Sequence, residues 1–237
     1  MASSEPSIVD ESDPQQTRGS AAAVAPDPEG GAGVDSGRLA ALANATVAEE
    51  DEARLSLVLL RDVAVVSALL SLFAAAEAWA SQSGLRLARG LSVVDGLLVG
   101  AGVAAILHEW GRFVGARLAG GHAPLKPVST FVPIFDFDYA NNDARAFDWM
   151  SLGGNVGDIS AVLLFFLALP HESVGAAALV SGAFGFAVFA GAIEFPVIRK
   201  ARAGMSGIEA LATIPRDFVQ RYLRWGLAAA LAAFLIL

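Results

Sequence analysis

The chain has 237 residues, 55% of them hydrophobic and only 17% charged, and it contains no cysteine. An ordinary soluble domain carries about 25% charged residues, so this balance and a mean hydropathy of +0.55 point away from a water-soluble protein. The missing cysteines exclude disulfide scaffolds, thiolate zinc sites and thiol nucleophiles. The net charge of −8 is unevenly placed: residues 1–53 hold 11 acids and 2 bases, and the rest hold 13 acids and 14 bases. An acidic segment thus precedes a near-neutral apolar body, and a basic nucleic-acid-binding face is excluded.

Residues 1–50 are rich in Pro, Gly, Ser, Ala and acids and hold no aromatic residue. Such a segment buries too little apolar surface to offset its ordering entropy, so residues 1–54 read as a disordered acidic tail. A short helix near 36–48 is compatible with the sequence, and no signal peptide is evident. From residue 55 the composition changes. Apolar stretches of membrane-spanning length cover about 63–80, 91–114, 149–169, 174–196 and 218–237. A bilayer core takes roughly 20 apolar residues per helix. The expected fold is therefore an all-α integral membrane bundle of four or five transmembrane helices over 55–237, with the lipid bilayer as its first partner.

Arg199, Lys200, Arg202, Arg216, Arg221 and Arg224 cluster after the fourth stretch, whereas the short loop after the third has no Lys or Arg. The positive-inside rule then puts the basic loop, residues 119–148 and the N-terminus in the cytoplasm. Ala, Gly and Arg usage suggests a bacterial inner membrane. Within 128–139, Phe135, Phe137 and Tyr139 alternate with Asp136 and Asp138, which predicts a small strand or hairpin at the membrane surface. The two aspartates suit a solvated face better than a metal site. Asn141, Asn142 and Asp143 signal a turn after it.

The second stretch ends in His108-Glu109-Trp110-Gly111-Arg112. Ionisable groups inside a hydrophobic span mark a functional site by default. In the zinc motif H-E-x-x-H, two histidines one helical turn apart bind the metal and the glutamate acts as base on its water. His108 and Glu109 match that pattern, and Arg112 stands at the second histidine. By helical rise, His108 lies roughly 9–12 Å, Asp158 about 14 Å and Glu194 about 6–8 Å from the cytoplasmic ends of their spans, so the three share one half of the membrane. His171 falls on the other side, and His122 reaches the cluster only if its loop folds back.

Residues 108–117, HEWGRFVGAR, resemble the site-2 protease family of intramembrane zinc metalloproteases, whose members typically read HExGHFxxAR. Residues 150–158, MSLGGNVGD, resemble the family's SLAGPLAN segment, and the likeness extends over about 91–196. It implies zinc, an attacking water, and cleavage of transmembrane protein segments near the cytosolic leaflet. It implies His108 as a metal ligand, Glu109 as catalytic base, and a groove at Gly154 and Asn155. The departures are Arg112 for His, Asn155 for Pro, Asp158 for Asn, and no L-D-G aspartate, near whose place stands Glu194. Asp158 and Glu194 are the candidate replacement ligands. A guanidinium has no lone pair for a metal, and Arg112 sits three residues after Glu109, a spacing suited to an ion pair. The expectation is a pseudoprotease that still binds membrane segments. The alternative is an active zinc metalloprotease with a rearranged ligand set, and a small transporter is a third reading.

Gly96/Gly100, Gly111/Gly115 and Gly153/Gly157 have small-xxx-small spacing, which lets membrane helices approach closely. Glu77 and Asp95 are expected to pair or snorkel. Trp79, Trp110, Trp149 and Trp225 are placed at span ends as interfacial anchors.

Overall fold

The computed structural model describes residues 36–169 and 172–237, with side chains from residue 51 onward. The tail over 1–35, Pro170 and His171 lie outside the described residues. Contacts divide the chain into two units, Met1–Leu42 and Ala43–Leu237, and the second is described below.

Among the described residues the regular elements are helices, in the order α1 (Ser36–Ser83), α2 (Arg86–Leu118), α3 (Ala144–Ala168), α4 (Val174–Arg202), α5 (Gly207–Ala212) and α6 (Phe218–Ile236). Four segments are long and apolar enough to cross a membrane: Asp51–Ser83, Arg86–Leu118, Ala144–Ala168 and Val174–Arg202. Helix α6 matches the fifth predicted stretch in position but is not among these four, because Arg221 and Arg224 dilute its first turns. Helix α1 also runs without a break through residue 54, where composition alone puts a boundary.

Each turn has a local cause. Gly84 takes φ +64°, the left-handed conformation that ends α1, and α2 begins two residues later. Asp143 caps α3 by accepting from the Ala146 amide at 2.7 Å, and Ser173 caps α4 through the Ala176 amide at 3.0 Å. Ser206 and Glu209 form a reciprocal capping box on α5.

Helix α2 is the central post, packed most extensively on α3 and α4, while α6 packs on α4. Glycines set these approaches. A Cβ on Gly100 would fall on the Leu179 carbonyl oxygen of α4. Gly111 and Gly153 bring the α2 and α3 backbones together in the same way, and Gly185 and Gly226 do so for α4 and α6. Two apolar clusters result. One joins Phe73, Val99, Val103, Phe165, Leu179 and Val180 in one half of the bundle. The other joins Val58, Phe113, Leu125, Phe135, Phe147, Met150 and Val197 in the half that carries the 119–143 loop.

The expected surface strand does not form. Among the described residues, 119–143 contains one isolated antiparallel bridge, Leu125 with Phe135. Amides of Lys126, Asp136 and Asp138 donate to Ile134, Pro124 and His122 carbonyls at 2.9, 2.9 and 3.3 Å. Pro124, Pro127 and Pro133 lack the N–H groups that a longer ladder requires, so the pairing stops there. Arginines of α1 hold this loop instead. Arg54 donates to the Leu125 carbonyl at 3.1 Å, and Arg61 donates to those of Val128 and Thr130 at 2.7 and 2.6 Å.

The glycine contacts give a direct test. Gly100→Leu should destabilise the protein in detergent by about 1–3 kcal/mol, because the backbones of α2 and α4 must separate. Gly90, which has open space at its Cβ position, is the control. Gly90→Ala should leave stability unchanged or raise it by about 0.5–1 kcal/mol. Thermal unfolding that ranks the two substitutions equally would refute the packing described.

Candidate functional site

The polar residues singled out in the sequence lie between the two apolar clusters. Along α2, Val99 and Val103 precede His108, Glu109 and Arg112, and Phe113 and Ala116 follow. Along α3 the order runs from Phe147 and Met150 through Asn155 and Asp158 to Ala161 and Phe165. On α4, Glu194 falls between Ala183 and Val197. Three neighbouring helices, α3 running antiparallel to both α2 and α4, thus contribute polar groups at one level, with apolar layers above and below.

Glycine makes room for them. A Cβ on Gly154 would stand 2.7 Å from His108 Cε1 and 2.9 Å from Arg112 Cγ, so only hydrogen fits under those side chains. His108 is clasped on both ring nitrogens. Nδ1 lies 3.0 Å from Asp158 Oδ2, and Nε2 lies 3.3 Å from Glu194 Oε1. The Phe186 ring of α4 meets the imidazole edge-on at 5.9 Å between centroids. Arg112 Nη1 is 3.6 Å from Glu109 Oε1, and its Nε is 3.9 Å from Glu194 Oε1. Asn155 joins the ring of contacts by donating from Nδ2 to Glu194 Oε2 at 2.7 Å and to the Ser151 carbonyl at 3.0 Å.

All six residues, His108, Glu109, Arg112, Asn155, Asp158 and Glu194, therefore meet in one polar layer, with Gly154 as the surface beneath. The arrangement is ionic rather than fully hydrogen-bonded. Arg112 Nε, Glu109 Oε2 and Asp158 Oδ1 are buried without a hydrogen-bond partner. In this geometry a guanidinium faces the carboxylate that the sequence motif marks as a base. Among the described residues, no group of three or more His, Asp or Glu side chains is placed to hold a metal ion.

Other predicted positions lie elsewhere. His122 is mostly exposed and sits 3.6 Å from Asp138, outside the layer. Asp136 pairs with Lys126 at 2.9 Å. Asp138 closes a turn by accepting from the Ala140 and Asn141 amides at 3.1 Å and from Asn141 Nδ2 at 2.7 Å. The Asn141 side chain is the main reason that the Asp138 carboxyl is held below its usual range. Glu77 accepts from Ser92 Oγ, and its carboxylate occupies the space over Gly175 in the first turn of α4, where a helix N-terminus favours an anion.

Sequence reading missed two supports. Trp110 is tied to α1: its Nε1 donates to Asp62 at 2.8 Å, and Asp62 also holds Arg61 at 2.8 Å. Tyr139 is the second: its ring packs on Phe137 and Phe147 beside the layer, and desolvation is the main reason that its phenol is raised above the usual range. Asp62 lies just before the predicted first span, and a buried carboxylate beside an arginine is the signal that would have flagged it.

No family model matches the chain, nor does any curated protein or solved structure.

Gly154 offers the sharpest test of the layer. Gly154→Val should push His108 and Arg112 out of their seats and cost about 1–3 kcal/mol in unfolding experiments in detergent. Val156→Ala, on the exposed face of the same helix, should stay within about 0.5 kcal/mol. Equal effects would mean that the side chains do not rest on Gly154.

Proposed function

We propose that this chain is a site-2-protease-like integral membrane protein in which an ion-paired polar layer replaces the zinc centre, and that it binds transmembrane protein segments without cutting them. The observation that carries the reading is the position of Arg112. One turn after His108, where the family places its second histidine, a guanidinium lies 3.6 Å from Glu109 Oε1 and 3.9 Å from Glu194 Oε1. A permanent cation there repels a divalent metal and offers it no lone pair. The remaining donors, one imidazole nitrogen and one carboxylate oxygen, fall short of the three protein ligands that a catalytic zinc takes. In this reading Glu109 is an ion-pair partner rather than a base. The basic loop ends and the N-terminus are cytoplasmic, and the membrane is a bacterial inner membrane.

One observation favours the alternative, an active zinc metalloprotease. Two ligands on a tetrahedral zinc are separated by about 3.3 Å, given metal–ligand bonds of about 2.0–2.1 Å. His108 Nε2 and Glu194 Oε1 are 3.3 Å apart, and Asp158 on Nδ1 is placed as an orienting carboxylate.

Metal content separates the two. The purified wild type should carry well under one zinc per chain. Arg112→His should raise that occupancy sharply, and any hydrolysis gained should vanish when Glu109→Gln is added. Stoichiometric zinc in the wild type, lost with His108→Ala, would overturn the non-proteolytic reading and favour the alternative.

A further inference from the structure

Beside the polar layer, a cleft of about 480 Å³ opens between α3 and α4. Its walls are apolar, with Ile159 from α3 and Val188, Ala192 and Phe195 from α4, and its polar groups are Asn155 and Asp158. Ile159 and Phe195 are more than half exposed, so within a membrane the cleft opens sideways to the lipid.

The polar groups that reach this cleft have one character. Asp158 is 1% exposed, and while Oδ2 faces His108, Oδ1 has no partner. Asn155 uses its amide hydrogens on Ser151 and Glu194, which leaves its carbonyl oxygen as the free end. Pro196, inside α4, has no N–H to donate to the carbonyl of Ala192, and both residues line the cleft. Gly191 keeps the space open, since a Cβ there would stand 3.0 Å from the Phe195 ring and 3.5 Å from Asn155 Oδ1. The cleft is therefore apolar in its walls and supplied with acceptors but no donor. Lipid chains match the walls and leave the acceptors bare. A helix that carries a donor matches both, because polar side chains between membrane helices associate through such bonds.

We propose that the α3–α4 cleft seats one face of a transmembrane helix bearing a hydrogen-bond donor, a Ser, Thr, Asn or Gln side chain, at the depth of Asp158. This rests on the reading of the chain as a binder of membrane segments, and it names the site and the chemistry selected. Asp158 and Asn155 are recognition residues in this role, and Gly191 sets the size of the side chains admitted.

The test uses the full chain in phosphatidylcholine–phosphatidylglycerol vesicles. Because the chain has no cysteine, Ala203→Cys provides a single labelling site. The probes are two synthetic Lys-flanked Leu/Ala helices of about 21 residues. They are identical except for Asn or Leu at one position in the half nearer the basic loops. Energy transfer between the labelled chain and labelled peptide should show the Asn peptide binding about tenfold tighter than its Leu twin. Gly191→Leu, which fills the cleft, should bring the Asn peptide down to the Leu level. Ile159→Trp should do the same from the exposed wall, where it leaves the interior untouched. Equal binding of the two peptides to the wild type would overturn donor selection while leaving segment binding intact. A preference that survives both substitutions in folded protein would place the site elsewhere and overturn the proposal. Binding of neither peptide would overturn the segment-binding reading along with it.

Discussion

The structure depends on the need to place three carboxyl groups, an imidazole and a guanidinium in the middle of an apolar bundle. A buried charge without a partner costs several kcal/mol, and removing one member of a buried pair costs about 3–5 kcal/mol. The chain meets that constraint by drawing all five groups into one layer, so that each acid faces His108 or Arg112. The packing elsewhere serves this arrangement. Glycines on α2 and α3 bring the backbones close enough for side chains from three helices to meet, and apolar clusters flank the layer on either side.

That layer is tied to the outer parts of the molecule through α1. Asp62 takes the Trp110 indole one residue from Glu109, and its neighbour Arg61 grips the carbonyls of the 119–143 loop and covers the Phe131 ring at 4.7 Å. The loop in turn packs Leu125, Ile134 and Phe135 into the apolar cluster of Phe113, Phe147 and Met150 that borders the polar layer. At the far end, Glu77 of α1 meets Ser92 of α2 at the first turn of α4. Helix α1 thus fastens to the bundle through polar contacts at Arg54–Asp62 and at Glu77 and through Val58 and Phe73, which enter the two apolar clusters, while α2, α3 and α4 pack closely along their lengths.

Much of this was legible in the sequence because the governing terms are local or periodic. Four spans follow from length and composition, the close helix approaches follow from glycine spacing, and the Arg112–Glu109 pair follows from a three-residue offset on one helix. The meeting of His108, Asp158 and Glu194 follows from helical rise and shared depth. What could not be read depends on contacts between distant segments. Arg54 and Arg61 bind backbone carbonyls of a loop some seventy residues away, and no side-chain pattern marks a carbonyl. The alternation in 128–139 suggested a strand, but three prolines removed the donors that would extend it. The Trp110 hydrogen bond was not legible because its partner, Asp62, sits on another helix.

The account stands on Arg112 and Glu109 acting as a coupled buried pair. A double-mutant cycle with Arg112→Met and Glu109→Gln, followed by reversible unfolding in detergent, measures that coupling. The account predicts that each single change is strongly destabilising and that the double variant recovers about 1–3 kcal/mol relative to their sum. Additivity within about 0.5 kcal/mol would contradict it, because it would show that the guanidinium and the carboxylate do not depend on one another.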